Sequence, residues 1–186
     1  RMVLATFMMT GQVCMAIKRI LVPRSLETPF IESFCSEVDK LVVGDGLLSQ
    51  VTLGPLHSAA GVVRAKSILD DAHNSGAEIR TLGKVDDEKT LASGHFMMPS
   101  VAYRISDSPA IPISTYDDVE EAVQRANSSH FGLAGSVWGR DHDRAIEIAK
   151  EIEAGQVWVN THGVLAINPL APYGGMKKSG IGRKSG

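Results

Sequence analysis

Thiols are scarce in this chain of 186 residues: two cysteines, Cys14 and Cys35, with no Cys-x-x-Cys spacing and no nearby His pair. That scarcity argues against a zinc site and a disulfide framework, and it favours a reducing compartment, the cytoplasm. Long apolar runs are missing as well. None approaches the ~20 residues of a membrane span, and no signal peptide is visible at the start. An excess of charge of one sign is also absent. A net charge of −2 leaves no basic surface of the kind nucleic acid requires. What is present, 44% apolar and 22% charged residues, is ordinary for a globular domain. The length suits one substantial domain that buries about 70% of its extended surface.

Helical and extended signals alternate along the chain. Ile31, Phe34, Val38 and Leu41 recur at helical spacing, and Val62, Ala65, Ile68, Leu69 and Ala72 mark a second helix stopped by Asn74-Ser75-Gly76. Glu78 to Leu82 reads as a strand, Phe96 to Ile105 as an extended stretch, and Ala110 to Ser114 as a buried apolar segment. Asp117 and Asp118 open a helix with the face Val119, Ala122, Val123 and Ala126. Leu133 to Trp138 is strand-like, Asp141 caps a helix with the face Ala145, Ile146, Ala149 and Ile152, and Gln156 to Val159 is one more strand. This βαβ rhythm predicts an α/β fold: a parallel twisted sheet with helices on both faces. From Asn160 to Gly186 periodicity fades, and the apolar residues there predict an ordered loop packed on its neighbours.

Cys14 is the residue with the most chemistry. It follows Gly11-Gln12-Val13 and precedes Met15-Ala16-Ile17-Lys18-Arg19, read here as a short helical stretch. A thiol at a helix N-terminus would be favoured as thiolate, and the same N–H groups could hold an oxyanion. An arbitrary lone cysteine is more often a small buried hydrophobe, the reading kept for Cys35. The glycine-rich run Gly174 to Gly182 matches neither phosphate-loop pattern and reads as a structural loop. Lys177, Lys178, Arg183 and Lys184 read as a solvated or subunit-contact cluster. The six histidines are scattered; His162, just past a strand end, is the one hardest to dismiss.

Several segments then fall into one order: Gly11-Gln12-Val13-Cys14 with Arg19; Gly94-His95-Phe96 leading to Pro99; Ala126-Asn127 with Phe131-Gly132-Leu133-Ala134; Ala154-Gly155 with Val159-Asn160; and Pro172-Tyr173-Gly174-Gly175 with Lys177 and Ser179-Gly180. Together they resemble the catalytic domain of NAD(P)-dependent aldehyde dehydrogenases, over essentially the whole chain. The resemblance implies that Cys14 is the catalytic nucleophile, attacking an aldehyde to give a thiohemiacetal, with hydride passing to NAD or NADP and water cleaving the thioester. It implies that the Cys14 N–H is part of the oxyanion hole, and that Val13, Leu165 and Tyr173 wall the substrate tunnel. Such an apolar wall suits a medium-sized aliphatic or aromatic aldehyde. It also implies a homo-oligomer.

The departures define further expectations. Residues 1–186 are expected to be a single nucleophile-bearing domain, a piece lacking the preceding cofactor domain with its general-base Glu and oxyanion-hole Asn, and lacking the C-terminal oligomerisation strand. The cofactor-binding residues are therefore not expected within this chain. A Glu-Glu-x-Phe-Gly-Pro segment is missing between Ser108 and Pro109, and Met9 stands where many members have Asn. Two other readings are a stand-alone Cys14-dependent acyl-transfer or esterase domain, and a non-catalytic oligomerisation or binding module.

Overall fold

In a computed structural model of the chain, residues 1–104 and 113–185 are described. The expected gap between Ser108 and Pro109 lies outside them, as do residues 110–112 of the apolar segment. The chain divides into two compact units, Thr6–Tyr116 and Asp117–Gly186, the latter with Arg1–Ala5.

The helix α1 (Met2–Phe7) comes first. Next, in the unit Thr6–Tyr116, are β1 (Ile20–Pro23), α2 (Glu27–Val38), β2 (Val42–Val43), α3 (Ala59–Asn74), β3 (Glu78–Thr81), β4 (Lys84–Val85), α4 (Glu88–Ser93), β5 (Ser100–Tyr103) and β6 (Ile113–Tyr116). β1 pairs parallel with β6 in the register Ile20↔Ile113 to Pro23↔Tyr116, and β2 pairs parallel with β4. β3 pairs antiparallel with β5. The core is apolar where the period predicts it. Ile31, Phe34 and Val38 of α2 are buried, with Val22, Val43, Val101 and Ile113 from the strands. Pro29 falls in the first turn of α2, where its missing N–H would have had no helical partner.

The second unit holds α5 (Val119–Asn127), β7 (Phe131–Gly132), β8 (Ala134–Val137), α6 (His142–Lys150), β9 (Gln156–Val159) and β10 (Met176–Lys177). Here the βαβ expectation is met in full: β8 and β9 pair parallel from Ala134↔Gln156 to Val137↔Val159, and α6 packs on both. β10 pairs antiparallel with β7, a long-range closure that the tail's composition did not announce. Among the described residues there are thus three parallel and two antiparallel strand pairs, and the fold is mixed α/β as expected.

Both acidic caps act as read from the sequence. Asp118 accepts from Glu121 N at 2.6 Å and Asp141 from Arg144 N at 3.0 Å. Asp118→Ala is expected to cost about 1 kcal/mol of folding stability, readable as a lower denaturant midpoint at unchanged slope. An unchanged midpoint would show that α5 is held by its apolar face alone.

Four expectations need correction. Met15 to Arg19 form no helix; a turn at Cys14 runs into extended backbone that becomes β1. α2 ends at Val38, so Leu41 lies beyond it. The extended stretch from Phe96 narrows to β5, and Arg104, at φ 57°, leaves strand geometry directly after it. In α3 the expected stripe is buried only at Ala72, while Ile68 stays exposed.

Candidate active site

The segment before Cys14 is strained. Met9 (φ 50°), Thr10 (φ 57°) and Gly11 (φ 72°) take left-handed backbone in succession. Glycine does so freely, but each of the other two costs of order 1 kcal/mol or more. Asn tolerates this conformation better than Met, so Met9, where the resemblance leads one to expect Asn, sits under strain here.

Side chains hold that conformation. Thr10 Oγ1 donates to Gly54 O at 2.9 Å. Gln12 bonds on both sides of its amide: Nε2 donates to Met9 O at 3.1 Å, and Oε1 accepts from His57 N at 2.8 Å. Lys18 Nζ folds back to donate to Gly11 O and Val13 O, each at 3.1 Å. The turn's own main-chain bonds run from Gln12 N to Met9 O and from Ala16 N to Val13 O, leaving the Cys14 N–H out of them. Ala16 and Ile20 are buried and anchor the far end. The thiol of Cys14 rides exposed on this braced turn.

Without a helix behind it, Cys14 has no helix dipole. A positive charge on the turn comes from the Lys18 ammonium, whose pKa is pulled down by partial burial and partly restored by its electrostatic interaction with Cys14. Spacing alone conceals this residue, because a helix from Met15 to Arg19 would have pointed Lys18 elsewhere.

Cys35 is the opposite case. It is buried in α2, and burial pushes its thiol pKa up, partly offset by the Arg80 guanidinium. A thiol kept protonated and covered is inert.

The other sequence-predicted residues lie in the second unit, apart from Val13, which is half-buried beside Cys14. Leu165 is part of the turn Gly163–Ala166, which Trp158 Nε1 pins by donating to Ala166 O at 3.1 Å. Tyr173 is half-buried and exchanges both main-chain bonds with Lys184 at 2.8 Å. His162 is buried, its Nδ1 is 2.9 Å from Ser136 Oγ and its ring tilts against Trp158. That is a satisfied core histidine. Among the described residues no cluster of His, Cys, Asp and Glu could hold a metal ion, and no helix is long and apolar enough to cross a membrane.

The glycine-rich tail is no phosphate cradle. Arg183 Nη1 donates to Gly175 O at 2.7 Å and Gly182 O at 2.9 Å, so the loop binds its own backbone. Lys177 Nζ pairs with Glu153 Oε2 at 2.6 Å and donates to Asn127 O at 2.6 Å. These cations are already engaged, and the residues do not fit the pyrophosphate of a dinucleotide.

Comparison with known proteins agrees over the whole chain. Residues 1–186 match the aldehyde dehydrogenase family. The non-phosphorylating aspartate-semialdehyde dehydrogenase of Halomonas elongata is 34% identical, over 99% of this chain and 38% of that protein. The mouse 4-trimethylaminobutyraldehyde dehydrogenase is 32% identical, over 98% and 39%. The crystal structure of Staphylococcus aureus betaine aldehyde dehydrogenase in complex with NAD+ superposes with a TM-score of 0.88 at 32% identity, over 98% of this chain and 38% of that one. The chain therefore spans about two fifths of the length of these relatives. With the match spanning residues 1–186, at a third identity and on the same backbone course, this chain belongs to the aldehyde dehydrogenase family.

Proposed function

We propose that this chain carries the nucleophile of an enzyme that oxidises an aldehyde to a carboxylic acid, and that the nucleophile is Cys14. The observation that carries the reading is the contrast between two thiols: Cys14 is exposed on a strained, side-chain-braced turn, and Cys35 is buried and held protonated. Strained backbone clusters at active sites, and here two left-handed non-glycine residues, Met9 and Thr10, stand in succession just before the thiol's turn. The relatives reported above are named for aldehyde substrates, and family membership supports the same class here.

The chemistry at the aldehyde carbon follows from a thiolate on such a turn. Cys14 Sγ forms a bond to the carbonyl carbon while the carbonyl π electrons move to oxygen, and the Cys14 N–H lies next to that oxygen's formation. NAD or NADP, bound, would accept the hydride that leaves this carbon. The chain's own residues act at the aldehyde. Water then adds to the thioester, the C–S bond breaks, and the thiolate of Cys14 is restored with release of the acid. Val13, Leu165 and Tyr173 are assigned to contact with the aldehyde on the strength of the family resemblance. A homo-oligomer in the cytoplasm is the setting that the same resemblance and the free thiols support.

Covalent trapping tests the reading. Brief exposure to p-nitrophenyl acetate should leave an acetyl group on the tryptic peptide containing Cys14, with none on Cys35, and hydroxylamine should remove it. Acetylation spread over lysines, with Cys14 unmodified in the folded chain, would overturn it.

A further inference from the structure

The Lys18 ammonium grips the nucleophile's turn from the segment that follows it. It donates to the carbonyls of Gly11 and Val13, at 3.1 Å each, and these flank Gln12 immediately before Cys14. Val13 O receives two donors, Lys18 Nζ at 3.1 Å and Ala16 N at 3.0 Å, which fix the plane of the peptide leading into Cys14 and with it the direction of the Cys14 N–H, trans to that carbonyl. The turn needs such a grip. Two non-glycine residues in left-handed backbone, Met9 and Thr10, persist only where their surroundings over-determine them.

We propose that Lys18 is a positioning residue for Cys14: its ammonium clamps the Gly11 and Val13 carbonyls, fixes the turn that presents the thiol, and supplies the positive field a helix N-terminus would otherwise give. The proposal rests on the reading of Cys14 as nucleophile. Lys18 touches no reacting atom. Its part is to hold the main chain and to place a positive charge on the turn that carries the thiol, and the electrostatic coupling between Lys18 and Cys14 fits that geometry. A guanidinium reaching the same two carbonyls would keep both functions, and a neutral side chain of similar length would keep neither.

Alkylation of Cys14 reads clamp and charge separately. Rates are followed by mass spectrometry of the Cys14 peptide in the folded chain, with neutral iodoacetamide and anionic iodoacetate, and Cys35 is the internal control. Lys18→Met is expected to slow iodoacetamide labelling about fivefold, the effect of one nearby surface charge. It is also expected to lower the iodoacetate-to-iodoacetamide ratio at Cys14 about threefold, because the anionic reagent loses its attraction as well. Lys18→Arg should keep both values within about twofold of wild type.

If Lys18→Met does not fold, the wild-type chain still decides. Its Cys14 reagent ratio should exceed that of the same cysteine in urea by about threefold. An unchanged ratio in Lys18→Met, equal slowing of both reagents without rescue by Arg, or a folded-chain ratio no higher than in urea would each overturn the proposal. The nucleophile reading fails by a different measurement, the absence of a Cys14 acetyl adduct in wild type, so the two failures are distinguishable.

Discussion

In the intact protein, Cys14→Ala is expected to abolish aldehyde-dependent NADH or NADPH formation, a loss of about a thousandfold or more in kcat. The size follows from what the substitution removes. Without Sγ no covalent adduct forms, and the difficult step can no longer be split in two. Binding should survive. Cys14 is exposed on its turn, so truncation opens no core cavity and the fold loses little. The expected signature is therefore a collapsed kcat with an unchanged melting temperature and aldehyde binding still measurable by protection from proteolysis. Cys14→Ser should behave similarly in turnover, since an alkoxide is far harder to generate than a thiolate at neutral pH. Cys35→Ala is the control. It removes a buried thiol from α2 and should lower stability while leaving turnover per folded molecule within about twofold. Retention of a tenth of wild-type kcat by Cys14→Ala, measured across short aliphatic and aromatic aldehydes, would exclude Cys14 as the nucleophile.

Much of the fold was legible because its signals are local. Asp118 and Asp141 cap helices whose apolar faces recur at helical spacing, and the strands on either side of α6 follow the strand–helix–strand rhythm of a parallel pair. Three of the segments that carried the family resemblance prove to be joints of the second unit. Asn127 accepts from Glu153 N and donates to Glu151 O, each at 2.8 Å. Asn160 clasps Gly139 through both ends of its amide at 2.9 Å, and Ser179 Oγ accepts from Gly132 N at 2.9 Å. Such contacts link residues tens of positions apart, so no window of local sequence contains them; only the ordered set of motifs points to them.

The turn at Cys14 was misread for the same reason. Met15 to Lys18 have acceptable helix propensities, but propensity is a weak prior, and here the pull of Ala16 and Ile20 into the core draws the chain out straight. Gly11 was the single local sign of left-handed backbone, and nothing in Met9 or Thr10 repeats it. The role of Lys18 was hidden behind that error. A lysine four residues after a cysteine points along a helix in one geometry and back over the turn in the other.

Gly155→Ala is expected to be among the most destabilising single-methyl additions in the second unit, costing about 3 kcal/mol or more. A Cβ built at Gly155 would lie 1.7 Å from Gly174 O and 2.7 Å from Gly174 C. Both are backbone atoms, so no side chain can swing aside. The segment cannot simply lift, because it is tied down around the contact. Gly155 N donates to Gly132 O at 2.9 Å, Gln156 Nε2 to Pro172 O at 2.9 Å, and Lys177 holds Glu153 and Asn127. Relief requires breaking several of these bonds together or distorting the entry to β9. At about 3 kcal/mol, a chain of this size should melt roughly 6–12 °C lower. Gly139→Ala is the matched control, because its added Cβ would meet only Asp141 O at 3.7 Å and Ala145 Cβ at 3.8 Å, ordinary contacts. It should shift stability by no more than about 0.5 kcal/mol. Hydrogen exchange separates the causes: amides of residues 173–184 should lose protection in Gly155→Ala, whereas those of β1 and β6 should keep theirs in proportion to global stability. Equal melting temperatures for the two variants would mean that the tail is free to move off β9, and that its hydrogen bonds contribute little to holding it there.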